Sequence, residues 1–383
     1  MVPQARPLVR GRAARQPRPD VPEKRRVIIV TPGGLTQRGG MGRNMSDLVA
    51  AWGATAEAPQ WRVLDSWPVE WRLRMSPVSP LYFAVALVRI IAARLCGRLD
   101  LLHVHMAGGG SMIRKGSIVW LGRALGVPVV LHLAGADIDT QFERCPRFAQ
   151  VLLRRTLNRA RFVIVLGRYW RDLLVNRVGV SPDRVVVIPN GVPEPVAAKP
   201  RRDGPCRILS LGRLGARKGT ATALEALADP RIRVLDWTAT LAGDGEVEAM
   251  GRLADRLGLH DRCVFPGWLE RDEVSRLLQE SDIFLLPSRQ EGLPVALLEA
   301  MAHGLAIVST RAGSIEDAIT SGENGLLVPV DDREALTAAL LTMLVCPEER
   351  QRFQQAARHR YRREFTASVF AERVLNLYRR CGL

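Results

Sequence analysis

Residues 282–310 read DIFLLPSRQEGLPVALLEAMAHGLAIVST and contain a complete strand, helix and second strand. The uncharged run after Asp282 has the length of a buried strand. VALLEAMAHG then carries apolar residues at helical spacing and stops at Gly304, the residue type that helix C-termini favour. LAIVST is a second β-branched run. Pro294 suits the first turn of the helix, which leaves Glu291 in the loop before it and puts Glu299 on the second turn. Ser288 and Glu291 could instead form a capping box. That would draw Gly292 and Pro294 into the helix, where proline costs about 3 kcal/mol, so the box is disfavoured. Glu299 sits among Leu297, Leu298, Ala300 and Met301 and needs a hydrogen-bonding partner if buried.

The same rhythm runs along the whole chain. RVIIVTP at 26, LDLLHVHM at 99, PVVLHLAG at 128, FVIVLG at 162 and RVVVIPNG at 184 alternate with helical patterns. After PEPVAAKPRRDGP the pattern restarts with RILSLGRL, WTATLAGDG, RCVFPGWL, DIFLLPS, LAIVST and GLLVPV. This is an α/β chain of parallel βα units. We expect two Rossmann-like domains facing each other across a cleft: residues 26–192, a linker at 193–205, and residues 206–367. A C-terminal helical segment, 368–383, is expected to complete the first domain. Ligands of such sheets lie at the carboxyl ends of the strands, so the residues after each run are where chemistry should sit.

The 383 residues exceed what one core usually supports. Six cysteines stand far apart without a C-x-x-C pair, which argues against a disulfide framework or a zinc site and for a reducing, cytoplasmic setting. Residues 1–25 are expected to form a disordered basic tail, since no apolar h-region precedes VIIV. Arg89, Arg94, Arg98 and Arg123 interrupt the longest apolar runs, so no membrane-spanning helix is expected. Residues 1–200 carry 30 Lys/Arg against 13 Asp/Glu, or +17, and the remainder carries 25 against 26, or −1. A basic face toward phosphate or anionic lipid explains this excess, and so does an arginine-rich composition with a solvated tail.

Three strand ends hold the candidate chemistry. After VIIV, TPGGLTQRGGMGRN has five glycines between Gly33 and Gly42 and leads into a helix, an arrangement that lets backbone amides approach a phosphate. It is not G-x-G-x-x-G, so dinucleotide binding is poorly supported, and a purely structural turn remains open. LSLGRLGARKGT places Arg213 and Lys218 on an uncrowded loop that suits a diphosphate, although an idle exposed loop would look the same. Glu291 and Glu299 flank a helix start. Carboxylates there accept from hydroxyls while the free amides and the basic loop hold anionic oxygen, and a nucleoside diphosphate sugar has both kinds of group.

Taken in order, EGLPVALLE with its Glu-x7-Glu, GRLGARKG, LAGDGE, FPGW, GLAIVSTRAGSIEDAI and GENGLLVP resemble the retaining glycosyltransferases of family GT4, which have the GT-B fold. The resemblance is strongest over 184–345. It continues more weakly through Gly39-Gly40, HVHMAGGGSMIRKG and LHLAGADID, in the manner of enzymes that build bacterial polysaccharides on lipid carriers. It implies that Glu299 holds ribose hydroxyls and Glu291 the donor sugar. Arg213 and Lys218 would neutralise the departing diphosphate, and His132 would lie beside the transferred sugar. Gly39 and Gly40 would close over the diphosphate, and the backbone near Trp268 would meet the base. Gly292 and Leu293 would line the donor site, where many relatives have Phe-Gly in place of Leu293-Pro294. Because proline has no N–H, one amide donor is lost, which leaves the donor preference open.

The resemblance further implies transfer on one face of the sugar, with the leaving phosphate taking the acceptor's proton. The donor would be a UDP- or GDP-sugar, with no other cofactor. The only Asp-x-Asp, DID at 137–139, lies in the acceptor half, so no essential metal is expected. Ser111, Arg114 and Lys115 open a glycine-led helix that could seat a polyprenyl diphosphate-linked saccharide. Trp52, Trp61, Trp67 and Trp71 lie among Arg62, Arg72 and Arg74, ahead of PLYFAVALVRIIAARL. Together they suggest peripheral contact with the inner face of the cell membrane, while each tryptophan singly could be core. The alternatives are a soluble acceptor, a catalytically inert partner subunit, or a basic nucleic-acid-binding protein, for which no motif is present.

Overall fold

A computed structural model describes residues 25–31, 40–53, 58–66, 78–135, 138–195 and 204–383. Residues 1–24 of the basic tail, Gly39, Trp67, Trp71, Arg72, Arg74, Asp137 and linker residues 196–203 lie outside these. The apolar runs become strands of two six-stranded sheets, and every strand pair is parallel. The first contains β1 (Arg26–Thr31), β2 (Gln60–Asp65), β3 (Leu101–Met106), β4 (Val129–Leu133), β5 (Phe162–Val165) and β6 (Val185–Val187), in the order β2-β1-β3-β4-β5-β6. The second contains β7 (Cys206–Leu211), β8 (Trp237–Ala242), β9 (Cys263–Gly267), β10 (Ile283–Leu286), β11 (Ala306–Thr310) and β12 (Leu326–Val328), in the order β12-β11-β10-β7-β8-β9.

Helices cover both faces of these sheets, so the inner strands are largely buried instead of alternating. Every residue of β3, β4, β5, β10 and β11 is buried. Strand β2 is the one the sequence pattern did not reveal. It pairs only with β1, and its first three residues, Gln60, Trp61 and Arg62, are exposed, so no apolar run marks it. The strand order reverses between β1 and β3 in the first sheet and between β7 and β10 in the second. At such a point neighbouring strands send their following loops apart, and a crevice opens at their carboxyl ends.

Two chain crossings join the domains. Val192 N–H donates to the Phe365 carbonyl (3.0 Å), and Ala367 N–H donates back to the Val192 carbonyl (2.9 Å). The Tyr361 hydroxyl donates to the same Val192 carbonyl at 2.9 Å. Before the second crossing, the helix Pro347–Glu364 packs Ala357 and Tyr361 into the core that holds Met301 and Leu305. Beyond it, the helix Ala367–Arg379 lies over the first sheet, and Phe370, Val374 and Tyr378 pack with Ile29, Met45, Leu48, Trp52 and Phe162.

Trp52 is therefore core, which removes it from the proposed membrane-facing aromatics. It is 1% exposed, lies 5.7 Å from the Tyr378 ring centroid, and donates its indole N–H to the Ala371 carbonyl (3.4 Å). Its apolar helix, Gly40–Gly53, turns that face toward the last helix because both would otherwise leave aromatic surface in water. Trp61, by contrast, is 38% exposed. The helix Val78–Leu95 presents Leu81, Tyr82, Val85, Val88 and Leu95 outward, and among the described residues no helix is long and apolar enough to cross a membrane. Trp52→Ala should cost about 3–5 kcal/mol in urea unfolding, whereas Trp61→Ala should stay within about 0.5 kcal/mol. Equal costs would contradict this packing.

Candidate functional site

The loops after β7 and β10 meet at the switch point of the second sheet. Lys218 ends the short turn Ala216–Lys218, and its Nζ lies 2.6 Å from Glu291 Oε1. Both side chains are shielded, 12% and 6% exposed, and Arg217 Nη1 stands 3.9 Å from the same oxygen. Two glycines make this approach possible. Gly219 has φ +64°, and a β-carbon there would sit 2.0 Å from the Pro287 carbonyl oxygen. Gly313 has φ +58°, and its β-carbon would fall 1.8 Å from the Glu291 carbonyl oxygen. No side chain fits either place, and Ser314 N–H fastens the loop further by donating to the Gly292 carbonyl at 3.0 Å.

The helix Val295–Ala302 starts beside this pair. Pro294 is its N-cap, with φ −66° and ψ 127°, and so stands just before the first turn instead of within it. No side chain caps the helix, and its first two residues, Val295 and Ala296, line the cleft. One turn on, Glu299 Oε1 accepts from Arg43 Nη1 at 2.8 Å, a partner that comes from the other domain. Burial pushes the Glu299 carboxyl above the usual carboxylate range, and Arg43 opposes that shift. A second pair spans the same gap, Arg271 Nη2 to Asp47 Oδ1 at 2.9 Å, and burial likewise raises Asp47. Asn44 donates to Asn190 Oδ1 and Asn190 to the Leu293 carbonyl, both at 2.9 Å, tying the first domain to the Glu291 loop.

Glu291, Gly292, Leu293, Glu299, Arg213, Lys218, Trp268 and His132 all line one cleft of about 570 Å³. Arg213 is the most exposed of the cations, 69%, and reaches Asp244 at 3.4 Å. Gly40 opens the helix Gly40–Gly53, which carries Arg43. Ser111, Arg114 and Lys115 do not line this cleft. Ser111 Oγ accepts from Ala107 N–H at 3.3 Å, and Lys115 turns inward, 1% exposed, donating to Ser66 Oγ. Burial, with Arg114 adding to it, lowers the Lys115 amine to about 7. A separate cavity of about 810 Å³ lies at the start of β1 and β2, walled by Arg26, Arg62, Arg89 and Arg98, and has none of these acids.

On the first-domain wall, His103, His105 and His132 bring their nitrogens within 4.8 Å of one another. Three imidazoles can ligate a metal, but both His103 nitrogens are engaged, Nδ1 by the Tyr378 hydroxyl at 2.6 Å and Nε2 by His132 Nδ1 at 3.3 Å. The His103 and His105 rings also stack, 4.8 Å apart and 6° from parallel. Ligation would cost those bonds, so the residues fit a hydrogen-bonded chain better than an ion. Arg43 and Asn190 carry no motif signal of their own, and His103 stands in the sequence only as the first residue of HVHMAGGGSMIRKG. Arg43 follows the glycine turn and Asn190 ends the VIPN run, so strand ends were the only pointer to them.

Comparison with known proteins agrees with this architecture. Residues 23–191 match the family described as "Glycosyl transferase 4-like domain", and residues 194–360 match "Glycosyl transferases group 1". The chain is 32% identical over 258 residues to the amylovoran biosynthesis glycosyltransferase AmsK of Erwinia amylovora, covering 64% of this chain and 61% of that protein. It is 26% identical over 362 residues to the GDP-mannose-dependent alpha-(1-6)-phosphatidylinositol monomannoside mannosyltransferase of Mycolicibacterium smegmatis, covering 87% and 93%. Among solved structures, Anabaena HepE in complex with UDP and glucose superposes with a TM-score of 0.72 at 18% identity, covering 92% of this chain and 99% of that one. Both lobes, the order of their motifs and the shape of the cleft lead to one assignment: the chain belongs to the glycosyltransferases of family GT4, with the GT-B fold.

Proposed function

We propose that this protein moves a hexose from a UDP- or GDP-sugar to a lipid-linked oligosaccharide in bacterial cell-surface polysaccharide synthesis, with retention at the anomeric carbon. The observation that carries this reading is the Lys218–Glu291 pair at 2.6 Å beside an uncapped helix start, inside a cleft that both domains wall. A buried carboxylate held by a lysine is placed to accept from sugar hydroxyls, and the lysine keeps further donors for a phosphate oxygen. Arg213, Arg217 and the amides of Val295 and Ala296 surround the same space and neutralise charge as the diphosphate leaves, without having to reorganise. Glu299 holds the ribose with the oxygen that Arg43 does not occupy, and the backbone near Trp268 meets the base. His132 stands beside the sugar, and the leaving phosphate takes the acceptor's proton. Gly40 and Arg43 approach from the first domain.

The relatives support the substrate classes. AmsK is named for amylovoran biosynthesis, the mycolicibacterial enzyme for GDP-mannose and a phosphatidylinositol mannoside, and HepE was solved with UDP. The outward apolar residues of the helix Val78–Leu95, beside Arg89 and Arg94, support peripheral contact with the cytoplasmic face of the cell membrane. Arg114, half-buried, marks the acceptor side, whereas Ser111 and Lys115 are buried and hold their own helix in place. A soluble acceptor is the alternative, and it predicts transfer without lipid or detergent.

Glu291→Gln keeps a hydrogen bond to Lys218 and should fold normally, yet transfer should fall about 10²–10³-fold. Arg213→Ala removes an exposed ion pair worth about 0–1 kcal/mol, so it should slow transfer while the melting temperature hardly moves. Wild-type rates in both variants would refute these roles. EDTA should leave the rate unchanged, because fixed cations replace a divalent ion. Calorimetric titration with UDP and with GDP should show one binding at least tenfold more tightly, and mass spectrometry of the product should find the hexose on a lipid carrier.

A further inference from the structure

The last helix reaches beneath the cleft. Tyr378, on Ala367–Arg379, puts its hydroxyl 2.6 Å from His103 Nδ1, and His103 Nε2 lies 3.3 Å from His132 Nδ1. All three side chains are 2% exposed or less. Burial lowers His103 well below the usual histidine range and His132 to about 4, so at neutral pH each ring carries one proton.

That count gives the chain a direction. The Tyr378 hydroxyl has His103 Nδ1 as its partner, so its hydrogen is satisfied only by donating there. His103 then carries its proton on Nε2 and donates to His132 Nδ1. His132 in turn keeps its proton on Nε2, a buried atom without a partner on a residue that lines the cleft. We infer that Tyr378 and His103 are positioning residues that hold His132 as a hydrogen-bond donor toward a ligand oxygen in the cleft, and so exclude it as a general base. His105, stacked on His103, has neither nitrogen engaged and packs the pair from the side.

The role in transfer rests on the donor site proposed above, but the direction of the chain does not. Long-range proton–nitrogen NMR on the ¹⁵N-labelled full chain at pH 7 reads each histidine's tautomer without any substrate. His103 and His132, assigned by single substitution, should both be the neutral Nε2–H form. In Tyr378→Phe, which removes one oxygen from a filled core, His132 should become a mixture of tautomers. The variant's kcat should drop about tenfold, with the donor KM within about twofold and the melting temperature lower by only a few degrees, the cost of one buried acceptor left unpaired. A proton on Nδ1 of His132 in the wild-type protein would overturn the chain outright. So would Zn²⁺ titration that shifts all three histidines together. A Tyr378→Phe protein with mixed tautomers and full kcat would overturn the positioning role.

Discussion

Parallel strands cannot be joined by tight turns, so each one must be followed by a crossover that leaves from its carboxyl end. This constraint puts all of the useful loops of each sheet on one edge, and the two edges face each other. Lys218 follows β7 and Glu291 follows β10, neighbours in space that are 73 residues apart in the chain. His132 lies within β4 on the opposite wall. Given the sheet order, a cationic turn and a carboxylate are bound to meet, and glycines 219 and 313 let the backbones close the last ångströms.

The contact between the lobes is polar where it borders the cleft. Arg43 with Glu299, Arg271 with Asp47, Gln290 with Asp139 and Arg168 with Asp317 each join one domain to the other. Beneath these pairs, one buried apolar cluster takes in residues of both domains, among them Leu166 and Leu293. Glu299 accepts from a partner in the opposite domain while its side chain borders the cleft, so one carboxylate both joins the lobes and lines the space between them. Taking that carboxylate out of water is unfavourable, as its raised proton affinity records, and the arginine offsets part of that cost.

Much of this was legible in the residues alone. Eleven of the strands announce themselves as short apolar runs, most clearly the five that are buried on both faces, and β2 does not because its outer half meets solvent. Glu291, Glu299, Arg213 and Lys218 stand in local patterns of glycine, proline and charge, where spacing carries information. The ties between distant parts of the chain left no such trace. Arg43 and Glu299 are 256 residues apart, and His103 and Tyr378 are 275 apart, so only folding brings them into register. Trp52 misled for a related reason: the sequence groups it with Trp61 and the arginines from Arg62 onward, while its neighbours in space are Tyr378 and Ala371.

The double crossing at Val192 also orders events during synthesis. The first sheet is complete at β6, yet the face carrying Met45, Leu48 and Trp52 has no cover until the ribosome has made the helix Ala367–Arg379, some 180 residues later. The second lobe can therefore finish folding first, while the earlier one waits with aromatic surface uncovered. An intermediate with that face open is prone to aggregate until the last helix covers it.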